Sequence, residues 1–374
     1  MNSADNLKEV AKLFLRLGFT AFGGPAAHIA MMRQEIVQKR KWMSEQHFLD
    51  LIGATNLIPG PNSTEMAMHI GQERAGAKGL VAAGLCFILP AVMITGFFAW
   101  LYKEYGLLPQ VQPFIYGIKP AIIAVILAAI FPLAKTSFKS IELWILGAAV
   151  LALSLLGFNE IMLMFGAGFL AIIYHLIRNR TAVSRFLPLA LIQMPDAGFL
   201  SAGNMNLFLI FLKIGSILYG SGYVLFAFLD AELVATGMLS RQQLIDAIAV
   251  GQFTPGPVFS SVTFIGYQIS GLSGAVVSTV GIFLPSFVFV AFLNPLVKRM
   301  RSSALFGTFL DAVNAASVAI IVAVCFAMGR DSIYDWRTAL IAVACVAITF
   351  SFRKVNSAWI VAGGSVTGYL LSLI

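Results

Sequence analysis

The sequence predicts an all-α polytopic membrane protein, an inverted-topology internal repeat of about ten transmembrane helices plus two re-entrant broken-helix segments. Three observations lead there. Of 374 residues, 59% are hydrophobic and only 11% charged, with a mean hydropathy of +0.87, whereas soluble domains carry about 25% charged residues. Four sequence blocks recur in one order, 195 to 197 residues later. The charges flanking matched blocks differ between the copies in a way that reverses their orientation.

The blocks pair as follows. "FLRLGFTAFGG" from Phe14 matches "FLKIGSILYGS" from Phe211, and "NLIPGP" from Asn56 matches "QFTPGP" from Gln252. "ILPA" at Ile88 then matches "FLPS" at Phe283, and "FIYGIKPAIIAVI" at Phe114 matches "FLDAVNAASVAII" at Phe309. Residues 1–180 and 204–374 are therefore read as two halves, with 181–203 as the linker.

After the first block, Arg33, Lys39, Arg40 and Lys41 outnumber Glu35, while the second copy has Asp230 and Glu232 against Arg241. After the third block the bias reverses: Lys103 is balanced by Glu104, but the partner loop has Lys298, Arg299 and Arg301. Because cytoplasmic loops collect Lys and Arg, the halves face opposite ways. Each half must then cross the bilayer an odd number of times.

Apolar runs of spanning length lie at Val10–Ala27, Gly79–Tyr102, Pro113–Ala134, Ile141–Gly157 and Glu160–Ile177. Their counterparts are Met205–Leu229, Ala275–Val297, Ala304–Gly329, Trp336–Phe350 and Ser357–Ile374. Five per half leaves the Pro-Gly-Pro segments to enter and leave on one side. Lys135, Lys139, Arg178, Arg180, Arg185, Arg353 and Lys354 would be cytoplasmic, and the N-terminus external. That N-terminus, which mixes Asp5 and Glu9 with its lysines, does not read as a cleaved signal peptide.

A net charge of +8 is the ordinary mark of basic cytoplasmic loops here and does not call for a nucleic-acid partner. Cys86, Cys325 and Cys345 sit in apolar stretches without metal or redox spacing. No cofactor and no metal are expected.

Pro59-Gly60-Pro61 and Pro255-Gly256-Pro257 each remove two backbone donors around a flexible residue, so the helix stops and restarts. Irregular backbone at membrane depth is tolerated where it is buried in protein or lines a wet cavity. A helix restarting after Pro61 turns its free N–H groups and positive dipole end toward the break, where Asn62, Ser63 and Thr64 add donors. Ser260 and Ser261 do the same after Pro257, and Asn56, Gln252 and Thr254 precede the breaks. Two such ends suit an oxyanion. The alternative is a tight turn between short interfacial helices.

Arg16 and Lys213 fall at matched positions in the first span of each half. A basic side chain there costs about 2.5 to 3.5 kcal/mol on insertion scales. Either nearby acids or snorkelling offset this, or both cations face the anion. Lys119, matched by Asn314, is a third candidate near a span end. Gly23 and Gly24 before Pro25 would unwind the first span, or serve helix packing. Glu65 and His69, four apart, are either structural or a proton-coupling pair. "EMAMH" lacks the two histidines of an H-E-x-x-H zinc site, so no enzyme is expected.

"FGGPAAHIAMM" (Phe22 to Met32), "IPGPNSTEMAMHIGQERAG" (Ile58 to Gly76), "GQFTPGPVFSS" (Gly251 to Ser261) and the Leu-Pro pairs at Pro90 and Pro285 resemble the chromate ion transporter family, in its long form with two homologous halves. The resemblance implies a multi-pass prokaryotic plasma-membrane protein that exports chromate and so confers resistance, with sulfate as a similar oxyanion. In the second copy Gly222 and Ser221 stand where the first has Pro25 and Gly24, so the halves are not equivalent. Sulfate symport, an anion channel of the same architecture and a homodimeric assembly remain open alternatives.

Overall fold

The computed structural model describes residues 3–106, 108–179, 203–219, 222–292, 303–352 and 355–373, and these are helical without strands. The linker 181–202, Gly220, Ser221, Lys298, Arg299, Arg301, Arg180, Arg185, Arg353 and Lys354 lie outside the described residues.

In the first half α1 (Ser3–Thr20) buries Val10, Leu13, Phe14 and Leu17, spaced three and four apart on one face. Gly23 (φ 100°) and Gly24 (φ 76°) then break the chain. Helix α2 (Gly24–Arg33) starts with Pro25 in its first turn, where a missing N–H costs nothing. It runs on through a π-turn, Gln34–Lys39. α3 (Glu45–Thr55) is capped by Ser44, whose hydroxyl accepts from the His47 N–H at 3.2 Å. After the first Pro-Gly-Pro come α4 (Asn62–Tyr105), α5 (Gln112–Ser137), α6 (Ile141–Leu155) and α7 (Glu160–Asn179).

The second half repeats this order, with α8 (Gly203–Ile217), α9 (Val224–Leu229) and its own π-turn Asp230–Val234. It continues with α10 (Arg241–Phe253), α11 (Ser261–Phe292), α12 (Ala304–Ser332), α13 (Trp336–Ser351) and α14 (Ser357–Ser372).

Helix α4 is a hairpin rather than a rod. Ala75 and Gly76 leave helical geometry (φ −142° and 64°). Gly71 and Gly79 would stand about 12 Å apart in a continuous helix, yet a Cβ on Gly79 would lie 2.0 Å from the Gly71 carbonyl oxygen. Limb 62–74 therefore folds back on limb 77–105. Ser270 and Gly271 reverse α11 in the same way, with Gly274 against Gly266. Outward, Leu85, Leu89, Met93 and Phe97 on α4 and Val280, Leu284, Val288 and Phe292 on α11 form exposed apolar stripes, the sides suited to lipid.

Five described helices are long and apolar enough to cross a membrane by length and composition, against about ten expected. The shortfall has a physical source. The predicted span Val10–Ala27 divides at Thr20 and Gly24, and Met205–Leu229 divides between Ile217 and Val224. Helices α6 and α8 have 15 residues and α13 and α14 have 16, below the about 20 of a perpendicular span.

Packing follows a two-fold pattern. α1 lies along α4 and α8 along α11, while α4 meets α11 and α5 meets α12 across the halves. The last helices are exchanged: α13 and α14 pack on α5, and α6 and α7 pack on α12. At the start of α5, Tyr116 reaches Asp335 beyond the end of α12. Past the end of α5, Lys139 reaches Asp311 in the first turns of α12. These matched helices therefore run antiparallel.

Candidate functional site

Each Pro-Gly-Pro break is tied to the other half. The Gly60 N–H donates to the Leu218 carbonyl at 2.9 Å, and the Gly256 N–H donates to the Ala21 carbonyl at 2.8 Å. Ala21 and Leu218 are the first residues beyond α1 and α8, so each loop plugs the end of the opposite first helix. Gly60 (φ 135°) is also crowded: a Cβ would lie 2.3 Å from Glu65 Oε1 and 2.5 Å from Ser286 Oγ. No side chain fits there.

The restarting helix uses part of its donor set internally. Thr64 and Glu65 N–H groups return to the Pro61 carbonyl at 2.8 and 3.1 Å, and the Ser260 N–H returns to Pro257 at 2.9 Å. Ser63 Oγ is 3.3 Å from His28 Nδ1, and His28 Nε2 is 3.1 Å from the Ala21 carbonyl. Since that carbonyl only accepts, Nε2 carries the proton and Nδ1 accepts from Ser63. His28, which had no assigned role, holds the first break against the end of α1.

Beside this break is a cavity of about 570 Å³. Asn56, Leu57 and Asn62 form one wall, Leu133, Thr136 and Ser137 at the end of α5 a second, and Leu310, Asn314, Ser317 and Ile321 of α12 a third. The Asn62 amide donates to Asn56 Oδ1 at 2.6 Å, which leaves the Asn56 NH₂ for another acceptor. Lys139 and Asp311, also lining the cavity, pair at 2.6 Å with side chains 59% and 40% exposed. The lining is thus mostly neutral hydrogen-bonding groups among aliphatic ones.

The remaining predicted residues lie elsewhere. Arg16 pairs with Glu35 at 2.6 Å and Lys213 with Glu232 at 2.8 Å; neither lines the cavity. Gly23 and Gly24 form the α1–α2 junction, and a Cβ on Gly24 would come 3.9 Å from the Tyr223 hydroxyl. Thr64, Glu65 and His69 are buried behind the first break. Glu65 Oε1 accepts from Ser286 at 3.2 Å, whereas Glu65 Oε2, His69 Nε2 and Thr64 Oγ1 have no hydrogen-bond partner among the described residues. At the second break, Thr254 Oγ1 donates to Val250 at 2.6 Å, Ser260 Oγ meets Thr95 Oγ1 at 3.3 Å, Gln252 Oε1 accepts from Tyr223 at 3.5 Å, and the Ser261 hydroxyl has no partner among the described residues. Lys119, half-buried, lies near Asp246 on α10.

Of the polar residues that line the cavity, the sequence singles out Asn56 and Asn62 and not Asn314, Ser317, Ser137 and Thr136. Asn314 had a signal, as the counterpart of Lys119. The hydroxyls had none, because their α5 and α12 walls meet only in three dimensions.

Two fused copies of one helical unit, each breaking a helix and bracing the break on the other, form a multi-pass membrane protein of the transporter class. Comparison with known proteins narrows this. The chromate transporter family model matches residues 8–172 and again residues 205–369, and the chain belongs to that family, whose members are transporters rather than enzymes.

A chromate transport protein of Cupriavidus metallidurans is 30% identical over 370 residues, covering 97% of this chain and 92% of its own. A probable chromate transport protein of Synechococcus elongatus is 30% identical over 366 residues, covering 95% and 92%. A chromate transport protein of Pseudomonas aeruginosa is 28% identical over 378 residues, covering 96% and 91%. No solved structure gives a significant match.

Proposed function

We propose that this chain is a secondary transporter of the prokaryotic plasma membrane that exports chromate, and so confers resistance, by alternating access between inverted halves. The observation that carries the reading is the cavity that reaches the first Pro-Gly-Pro break and meets the amides of Asn56, Asn62 and Asn314 there. Irregular backbone at membrane depth is expected where a substrate route passes. The antiparallel arrangement of α5 and α12 supports the inverted topology. Lys135 and Lys139 stand at the cavity end of α5, which by the positive-inside rule supports a mouth on the cytoplasmic side.

Energetics suit export. Moving a dianion out of a negative interior gains about 4.6 kcal/mol at 100 mV, roughly 2.3 per charge. At about 1.4 kcal/mol per tenfold, that sustains more than three decades of gradient without a coupling ion. The second reading, proton-coupled import of sulfate or another anion, is favoured by one feature: the fully buried Glu65 carboxyl with an idle oxygen beside the break.

Chromate uptake into everted vesicles, with sulfate as competitor, tests the proposal. Saturable, potential-dependent uptake with a raised KM in Asn62→Ala and Asn314→Ala is expected. Flux that never saturates would favour a channel. Sulfate flux without chromate flux would replace the first reading with the second.

A further inference from the structure

The halves match in sequence order but differ in what lies beside their breaks. Ser44 and Ser240 cap α3 and α10 at equivalent positions, so Asp50 and Asp246 fall on the same turn of the two helices. Asp50 is exposed, whereas Asp246 is 4% exposed. The third helices repeat the contrast. Asn314 lines the open cavity, while its counterpart Lys119 is half-buried opposite α10.

Gln252, Ile122 and Ile126, the counterparts of the cavity residues Asn56, Ser317 and Ile321, are buried, and beside Lys119 on that side lies a polar cluster. Tyr102 of α4 reaches across the halves and donates to Asp246 Oδ2 at 2.6 Å, its ring seated against Phe264 with centroids 5.1 Å apart. Lys119 lies near the same carboxyl without forming a direct ion pair with it. Asp246 Oδ1 has no hydrogen-bond partner among the described residues. Farther out, Tyr116 donates to Asp335 at 2.5 Å, in the region that corresponds to the Lys139–Asp311 pair at the mouth of the open cavity.

We propose that Tyr102, Lys119 and Asp246 form a second anion site, closed in this structure, at the far gate of the route, and that the passing oxyanion takes the place of the Asp246 carboxyl beside Lys119. This rests on the anion-transport reading above. A buried carboxyl is costly unless it is paired and hydrogen-bonded. Here it holds one donor and one neighbouring cation, which are the groups an oxyanion would use. Asp246 thus stands in for the substrate while the gate is shut. An arriving dianion repels it and offers Lys119 and the Tyr102 hydroxyl a competing acceptor, so α10 loses its hold on α4. The open side needs no such stand-in, and there the matched position is the neutral Asn314.

The test uses the full chain with Cys86, Cys325 and Cys345 replaced by serine and Gln252→Cys as reporter, the position equivalent to the cavity-lining Asn56. A membrane-impermeant methanethiosulfonate is applied to the outer face of intact cells. Labelling should be slow in this background and about tenfold faster when Asp246→Asn or Tyr102→Phe is added, the weight of one hydrogen bond to a charged group. Tyr102→Phe keeps the ring packing, so it remains informative if Asp246→Asn lowers abundance.

In everted vesicles carrying the native cysteines and Gln252, Lys119→Gln should lower chromate turnover at least about tenfold, with Lys119→Arg retaining most of it. Unchanged labelling in both gate variants at parental abundance overturns the proposal. So does parental turnover in Lys119→Gln. If the parent moves no chromate while labelling still accelerates, the gate stands and the chromate reading falls.

Discussion

Gly60→Ala is the sharpest probe of the broken-helix architecture, because a single methyl must enter a space already occupied by Glu65 and Ser286. Gly60 has φ 135°, a region that L-residues rarely adopt, and the added Cβ would lie 2.3 Å from Glu65 Oε1 and 2.5 Å from Ser286 Oγ. The strained backbone costs about 1 to 3 kcal/mol. Displacing Ser286 from the Glu65 carboxyl costs about 1.5 to 3 kcal/mol more if that group is ionised, so the total is about 2.5 to 6 kcal/mol. Against the 5 to 15 kcal/mol typical of a folded domain, this is a large fraction.

Thermal unfolding of the detergent-solubilised protein should show Tm lowered by about 5 to 12 °C, at about 2 °C per kcal/mol for a chain of this size. Gly76→Ala is the internal control. Its φ is 64° but nothing lies within 4 Å of the added methyl, so only about 1 to 2 kcal/mol is expected. Adding Glu65→Ala and Ser286→Ala to Gly60→Ala removes the atoms the methyl meets, and should make the further cost of that methyl smaller than in the parent chain. Equal losses for Gly60→Ala and Gly76→Ala would refute the idea that the break is packed shut around Gly60.

Other substitutions test the remaining parts of the site. Asn62→Asp puts a like charge against the oxyanion in the cavity wall and should raise KM for chromate at least about tenfold, with Tm changed little; an unchanged KM would move the anion off that wall. Arg16→Ala and Lys213→Ala should each cost no more than about 1 kcal/mol and keep more than half of vesicle uptake, since both cations are partly exposed and paired with Glu35 and Glu232. A tenfold loss of uptake would put them on the route. Asp335, at the start of α13, is held below its ordinary pKa by the Thr338 N–H and then by the Tyr116 hydroxyl. A depressed carboxylate stabilises the fold above its unfolded pKa and loses that effect as pH falls through the folded value. The Tm difference between parent and Asp335→Asn should therefore shrink below about pH 4, and a difference independent of pH there would contradict it.

How far the sequence reads depends on whether a feature has a local signature. The repeat was legible because Pro59-Gly60-Pro61 and Pro255-Gly256-Pro257 are improbable in apolar sequence and sit 196 residues apart. The reversals at Gly76 and Gly271 fall inside the helices that follow these breaks, at positions the sequence reading does not mark. The first span was drawn too long because apolar character continues past Thr20, although the sequence marks the glycines that divide it, Gly23 and Gly24, as able to unwind it. The ties from Gly60 to Leu218 and from Gly256 to Ala21 are backbone hydrogen bonds between halves, which no side chain announces. Nor does any local pattern tell α7 to pack on α12 rather than on α5. Nearby acids are one of the readings for Arg16, but that Glu35, 19 residues on, is its partner emerges only when the chain folds back.

The physical picture of the site also shifts. Helix ends alone would hold an anion through backbone N–H groups, but at the first break the Gly60 N–H is spent on Leu218 and those of Thr64 and Glu65 on Pro61. What faces the cavity is the side-chain set of Asn56, Asn62, Asn314, Ser137 and Ser317, with Lys139 already paired to Asp311. Neutral donors give a dianion several hydrogen bonds without a fixed counter-charge. A full ion pair in a low-dielectric site would bind far more tightly and release slowly. A transporter needs release as much as capture, so under the proposed reading a neutral cavity on one side and a lysine close to Asp246 on the other avoid the same trap by different means.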